Sequence, residues 1–202
     1  DFVGASASDL VLLPNATTGL NVAIQSCGLR DGDALFMLDI GYGSVKKMAK
    51  AAAARASERV SNETTHGSGR PAAACGPEVV LGKIDLPLSS VDDVVDAVAA
   101  AMPSHTKLAV FDAVTSNTAL VLPLERLIRL CRERGVLVLI DAAHAPGQLP
   151  VDVSALAPDF YVANCHKWLA APRGSAFLWV SPSMQPHVRP LVVSHGSGDG
   201  FV

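Results

Sequence analysis

Five short polar clusters in this sequence each follow an apolar run, and their side chains suit a small molecule that carries an anionic group and a carbonyl. They are Pro14–Gly19 (PNATTG), Asp39–Ser44 (DIGYGS), Asp112–Asn117 (DAVTSN), Asp141–His144 (DAAH) and Asn164–Lys167 (NCHK). Thr17 and Thr18, small hydroxyl residues at a helix start, offer O–H donors beside unpaired backbone N–H groups, which suits a phosphate. With Asn15 they also suit an ordinary helix cap. Asp141 ends a run of five apolar residues, Val136 to Ile140. A carboxylate at the end of a buried strand needs a cationic or strongly donating partner, unless it caps the next turn. Lys167 stands between His166 and Trp168, so its ammonium enters a crowded, partly dry place. Desolvation and neighbouring positive charge there expose the neutral amine, a nucleophile toward carbonyls. A lysine that snorkels to solvent is the plainer alternative.

The elements that must position these clusters are legible as alternating patterns. Leu10–Leu13, Ala34–Leu38, Val79–Ile84, Leu108–Phe111, Val136–Ile140, Phe160–Ala163 and Ala176–Val180 read as strands. Thr17–Ser26, Ser44–Ala54, Ser90–Met102 and Leu124–Arg134 read as helices. The last carries Leu124, Leu127, Ile128 and Cys131 on one stripe and stops at Gly135. Ser90 suits a cap, Asp92 and Asp93 the positive end of the helix dipole. Strands that alternate with helices imply an α/β fold with a mostly parallel sheet and flanking helices. Ligands bind beyond the carboxyl ends of such a sheet, so the five clusters are expected to converge on one rim. Ser57–Pro77 has no period of either kind and is expected to be an exposed, flexible insertion.

Composition sets the wider bounds. Of 202 residues, 50% are hydrophobic and 17% charged, enough for one soluble globular unit with a substantial core. A net charge of -3 gives no reason to expect nucleic acid or an anionic membrane as partner. No apolar run reaches the ~18 residues of a membrane helix, and the first residues do not form a signal peptide. The four cysteines show no C-x-x-C spacing, which points to a reducing, cytoplasmic setting. His66 and Cys75 lack the spaced partners a metal site needs. The chain starts without Met and stops at GDGFV, so it is expected to be a segment of a longer protein.

Taken together, Asp141-Ala-Ala-His144, Asn164-Cys-His166-Lys167-Trp168 and Pro172-Arg173-Gly174 resemble the class V aminotransferase-like enzymes that use pyridoxal 5′-phosphate (PLP). Within them the run from Asp112 to Val180 looks most like the isopenicillin N epimerase-like branch. Asn15-Ala-Thr-Thr-Gly19 and Gly41-Tyr-Gly-Ser-Val-Lys-Lys-Met48 resemble the same branch, so the likeness leaves out little beyond 57–77. It implies the PLP-binding large domain of the aspartate aminotransferase type I fold over residues 1–180. Residues 181–202 would then lead toward a small C-terminal domain. It further implies that Lys167 carries the cofactor as a Schiff base and that Asp141 pairs with the pyridine nitrogen. Thr17, Thr18, Asn164 and His166 would hold the phosphate, His144 the ring hydroxyl, and Tyr42 would lie against the ring face. Ser116 or Asn117 would contribute from its loop. The implied reaction is α-proton abstraction from an amino-acid-like substrate, in a homodimer. A C–S lyase, a cysteine desulfurase-like enzyme, or an inactive fragment that keeps the fold are the alternatives. A desulfurase needs a mobile cysteine, and Cys165 is wedged beside Lys167.

Overall fold

Strands buried on both faces read as unbroken apolar runs, and the interior strands of this protein do so. The computed structural model describes residues 2–64 and 76–193. Seven strands form one sheet: β1 Leu10–Leu13, β2 Ala34–Leu38, β3 Glu78–Gly82, β4 Thr106–Asp112, β5 Leu137–Asp141, β6 Phe160–Asn164 and β7 Ala176–Val180. Their order is β1-β7-β6-β5-β4-β2-β3. From β6 to β3 every neighbouring pair is parallel, whereas β7 runs antiparallel to both β6 and β1. The expected mostly parallel sheet is therefore present, with β7 as its one reversed strand.

Helices α1 Ala16–Ser26, α2 Gly43–Thr64, α3 Asp92–Ala101, α4 Leu124–Glu133 and the short α5 Val153–Leu156 flank the sheet. Alternate strand residues point to opposite faces and build two cores. Phe36, Phe111, Ile140 and Tyr161 pack with Val94, Val98, Leu127 and Ile128 of α3 and α4. Leu35, Met37, Leu139 and Val162 pack with Leu20, Ile24, Val45 and Ala49 of α1 and α2. Gly19 lets α1 lie close on the sheet: a Cβ there would stand 2.7 Å from Val162 Cγ1.

Several boundaries differ from expectation: β3 runs Glu78–Gly82 rather than Val79–Ile84, β4 starts at Thr106 rather than Leu108, and two helices are changed. Helix α2 continues to Thr64, eight residues into the stretch expected to be irregular. Ala-, Arg- and Glu-rich sequence propagates a helix by intrinsic propensity without an apolar stripe, and Ser57 Oγ donates back to Ala53 O at 3.1 Å. Residues 65–75, with His66 and Cys75, lie outside the described residues. Helix α3 starts at Asp92 rather than Ser90, yet Ser90 Oγ still accepts from the Asp92 amide at 3.1 Å. The Asp93 carboxylate accepts from the amides of Ser89 and Ser90 and is held below its usual range by them.

Candidate active site

The carboxyl ends of β6, β5, β4 and β2 lie side by side in the sheet, and a chain of contacts joins the five polar clusters there. At one end, Asn15 caps α1: its side chain accepts from the Thr18 amide at 2.9 Å and the Thr18 hydroxyl at 3.1 Å. The buried Asn164, last residue of β6, accepts from the Ala16 amide at 2.9 Å. The helix-cap alternative is thus present at this turn, with two first-turn amides satisfied by Asn15 and Asn164. Thr17 stays exposed at this turn.

Past Asn164 the chain bends through His166, whose Nδ1 donates to Ser175 O at 2.7 Å in one tautomer and accepts from the Ser175 amide at 3.2 Å in the other. Lys167 follows, exposed rather than in the partly dry place expected of it, with Nζ 2.9 Å from His144 Nε2. The other ring nitrogen of His144, Nδ1, accepts from the Trp168 indole N–H at 3.1 Å. Burial first, and the nearby Lys167 second, hold the His144 imidazole below its ordinary range.

Three residues before His144, Asp141 ends β5 at 3% exposure, its Oδ1 accepting from the Ala143 amide at 3.0 Å. Burial pushes its carboxyl upward, against the Ala143 amide and Lys167, which favour the anion. Among the described residues, no ion pair includes Asp141. Beside it Asp112 ends β4, also buried, and burial together with the Asp141 charge pushes it up to about 7. The Tyr42 amide donates to Asp112, which fixes the Gly41–Tyr42 turn between β2 and α2. Gly41 belongs there because a Cβ would stand 3.4 Å from Asp112 Oδ1 and 3.0 Å from Leu38 O. Tyr42 itself is 42% exposed over this rim.

The structure therefore brings Asn164, His166, Lys167, His144 and Asp141 into one continuous strip, with Thr17 and Thr18 at one end and Tyr42 at the other. Ser116 and Asn117 are exposed on the loop after β4. Two residues outside the expected set join the strip. Asp112 had the same signal as Asp141, an acid ending an apolar run. For Trp168 the sequence has no equivalent signal, since its partner lies 24 residues away. A cavity of about 1030 Å³ sits elsewhere, at the amino ends of β2, β4 and β5, lined by Asp33, Lys107 and Leu137 among others. Its residues do not overlap the strip.

An open, mostly parallel α/β sheet with a lysine and an acid at adjacent strand ends defines a class already suggested by the motifs. Residues 72–198 match the model of the family Aminotransferase class-V, and the chain belongs to that family. Isopenicillin N epimerase of Amycolatopsis lactamdurans is 46% identical over 110 residues, 54% of this chain and 28% of that protein. The L-cysteine desulfhydrase of Arabidopsis thaliana is 29% identical over 217 residues, 100% of this chain and 44% of the relative. Among solved structures, the cystine C-S lyase C-DES with its product cysteine persulfide has a TM-score of 0.81 at 23% identity, over 96% of this chain and 47% of that one. A C-DES mutant with glycine covalently linked to its PLP cofactor has a TM-score of 0.78 at 22% identity, over 96% of this chain and 46% of that one. The chain thus spans less than half the length of each of these relatives.

Proposed function

We propose that this chain is the cofactor-binding part of a PLP-dependent enzyme that removes the α-proton of an amino-acid-like substrate, in the manner of isopenicillin N epimerase. The observation that carries this is Lys167 Nζ held by His144 on the same rim as the buried Asp141. The residues fit the cofactor: a carboxylate this buried, outside any ion pair, is matched by a protonated pyridine nitrogen. When bound, PLP supplies an electron-accepting ring for negative charge that forms at a substrate α-carbon.

Lys167 would hold the cofactor through Nζ, and its free amine would accept the α-proton. Asp141 keeps the ring nitrogen protonated and His144 donates toward the ring hydroxyl. Thr17, Thr18 and His166 hold the phosphate, while Asn164 fixes the α1 turn that presents the threonines. Tyr42 covers one ring face. Residues 1–180 form the PLP-binding unit and 181–202 connect it to a further domain. We place the enzyme in the cytoplasm as a homodimer; among the described residues no helix is long and apolar enough to cross a membrane.

A C–S lyase is the second reading, supported by the likeness to L-cysteine desulfhydrase along the whole chain. It shares the proton removal and then expels a sulfur substituent from the β-carbon. The desulfurase variant gains no support from Cys165, since burial raises its thiol above the ordinary range and disfavours the nucleophilic thiolate. The test is turnover in deuterated water by the protein that contains this chain. Deuterium at the α-carbon with inverted configuration supports the epimerase, and sulfide release from cysteine the lyase. Stoichiometric keto acid without α-exchange into recovered substrate overturns both.

A further inference from the structure

The Trp168 indole nitrogen is a donor only, and it points at His144 Nδ1 from 3.1 Å. That contact requires a lone pair on Nδ1. A neutral imidazole then carries its proton on Nε2, the atom 2.9 Å from Lys167 Nζ. Two donors cannot face each other across that distance, so Nζ must accept, which only the neutral amine can do. The opposite arrangement, with Lys167 as an ammonium donating to Nε2, places the imidazole proton on Nδ1, head-on against the indole N–H. We propose that Trp168 is a positioning residue: by fixing the His144 tautomer it favours the neutral, nucleophilic form of Lys167.

The placement of Trp168 is itself built into the fold. Gly147, in the turn that carries His144, has φ +89°, and a Cβ there would stand 2.5 Å from Trp168 O. Glycine at 147 therefore lets the loop after β6 lie directly on the turn after β5. The rings of His144 and Trp168 follow, with centroids 6.3 Å apart. Asp112 and Asp141 also lie within electrostatic reach of Lys167, and as anions they favour its ammonium. Trp168 opposes that pull through a neutral group, without adding a positive charge to the site.

The inference rests on Lys167 being the cofactor-bearing lysine, but its test does not need cofactor. Nitrogen-15 spectra of the unsubstituted chain at pH 7 are expected to show His144 with its proton on Nε2. The Trp168 indole N–H signal is expected to move at the pH where His144 takes up its second proton. Trp168→Phe keeps an apolar ring without the donor. It should raise the pH at which His144 becomes cationic, and slow reductive methylation of Lys167 by formaldehyde at neutral pH about fivefold, the effect of one hydrogen bond. A proton on Nδ1 in the unsubstituted chain, an indole signal indifferent to the His144 titration, or unchanged methylation in a folded Trp168→Phe chain overturns the proposal. If the variant does not fold, the two measurements on the unsubstituted chain decide. Borohydride reduction with PLP separately tests the assignment of Lys167: cofactor mass on another lysine ends that assignment and leaves the tautomer result intact.

Discussion

Asp112 and Asp141 are register partners on adjacent parallel strands, so two buried carboxyl groups end side by side at the rim. Two such groups cannot both ionise cheaply without a cation between or beside them. The two carry different contacts: Asp141 accepts from the Ala143 amide, and Asp112 from the Tyr42 amide.

Asp112 should make stability depend on pH in the less common direction for an acid. Its carboxyl rises from an ordinary value of 3.8 to about 7 in the folded chain. Between those values the folded state binds more protons than the unfolded state, so stability falls as pH rises from about 4 to about 7. Asp112→Asn keeps an oxygen for the Tyr42 amide and removes the charge. Urea unfolding at pH 5 and pH 8 is expected to show a smaller loss for the variant, with a difference of at most ~3 kcal/mol, because about two pH units of that window, from 5 to about 7, contribute at ~1.4 each. Equal losses in both proteins would remove Asp112 from this account.

Asp141→Asn separates attachment of the cofactor from use of it. PLP followed by borohydride is still expected to label Lys167, because Asp141 lies across the ring from that bond in the proposed arrangement. Exchange of the substrate α-proton with deuterated water should slow about a hundredfold or more, the scale seen when one preorganised electrostatic contact is removed. An undiminished exchange rate rules out the role given to Asp141.

Asn164→Ala leaves the buried Ala16 amide without its acceptor. The cost should be about 1–2 kcal/mol in urea unfolding, the range for losing a helix-start hydrogen bond. Asn164→Asp retains an acceptor oxygen and is expected to recover most of that loss. A variant with alanine as stable as the parent would show that α1 is placed by Gly19 packing alone.

Much of the architecture was legible in the sequence for a specific reason. The strands of the sheet interior are buried on both faces, so Ala34–Leu38, Phe160–Ala163 and Ala176–Val180 read as continuous runs. The polar residue just after such a run must be at the rim, which located Asp141, Asn164 and Lys167. Strand order leaves no comparable trace. Nothing in the sequence pairs Asp112 with Asp141, reverses β7, or turns the Trp168 indole toward His144, because those are relations between distant segments. The extension of α2 to Thr64 was hidden for the opposite reason: a helix carried by propensity need not show an apolar stripe.

β1 is joined to the sheet through β7, with Leu13 opposite Ala176, and the first turn of α1 is tied to Asn164. Translation produces these partners in the wrong order for early closure. At ~5–20 residues per second, Leu13 leaves the ribosome roughly ten to thirty seconds before Ala176 exists. Until then the amino-terminal strand has no sheet neighbour, and the turn that presents Thr17 and Thr18 has no anchor. A nascent chain can form the parallel β2–β6 region first, but the α1 turn is tied down only when Asn164 has emerged. Closure of this edge of the sheet is therefore coupled to the synthesis of β7, and products cut short before β7 expose an unpaired strand that invites association with other chains.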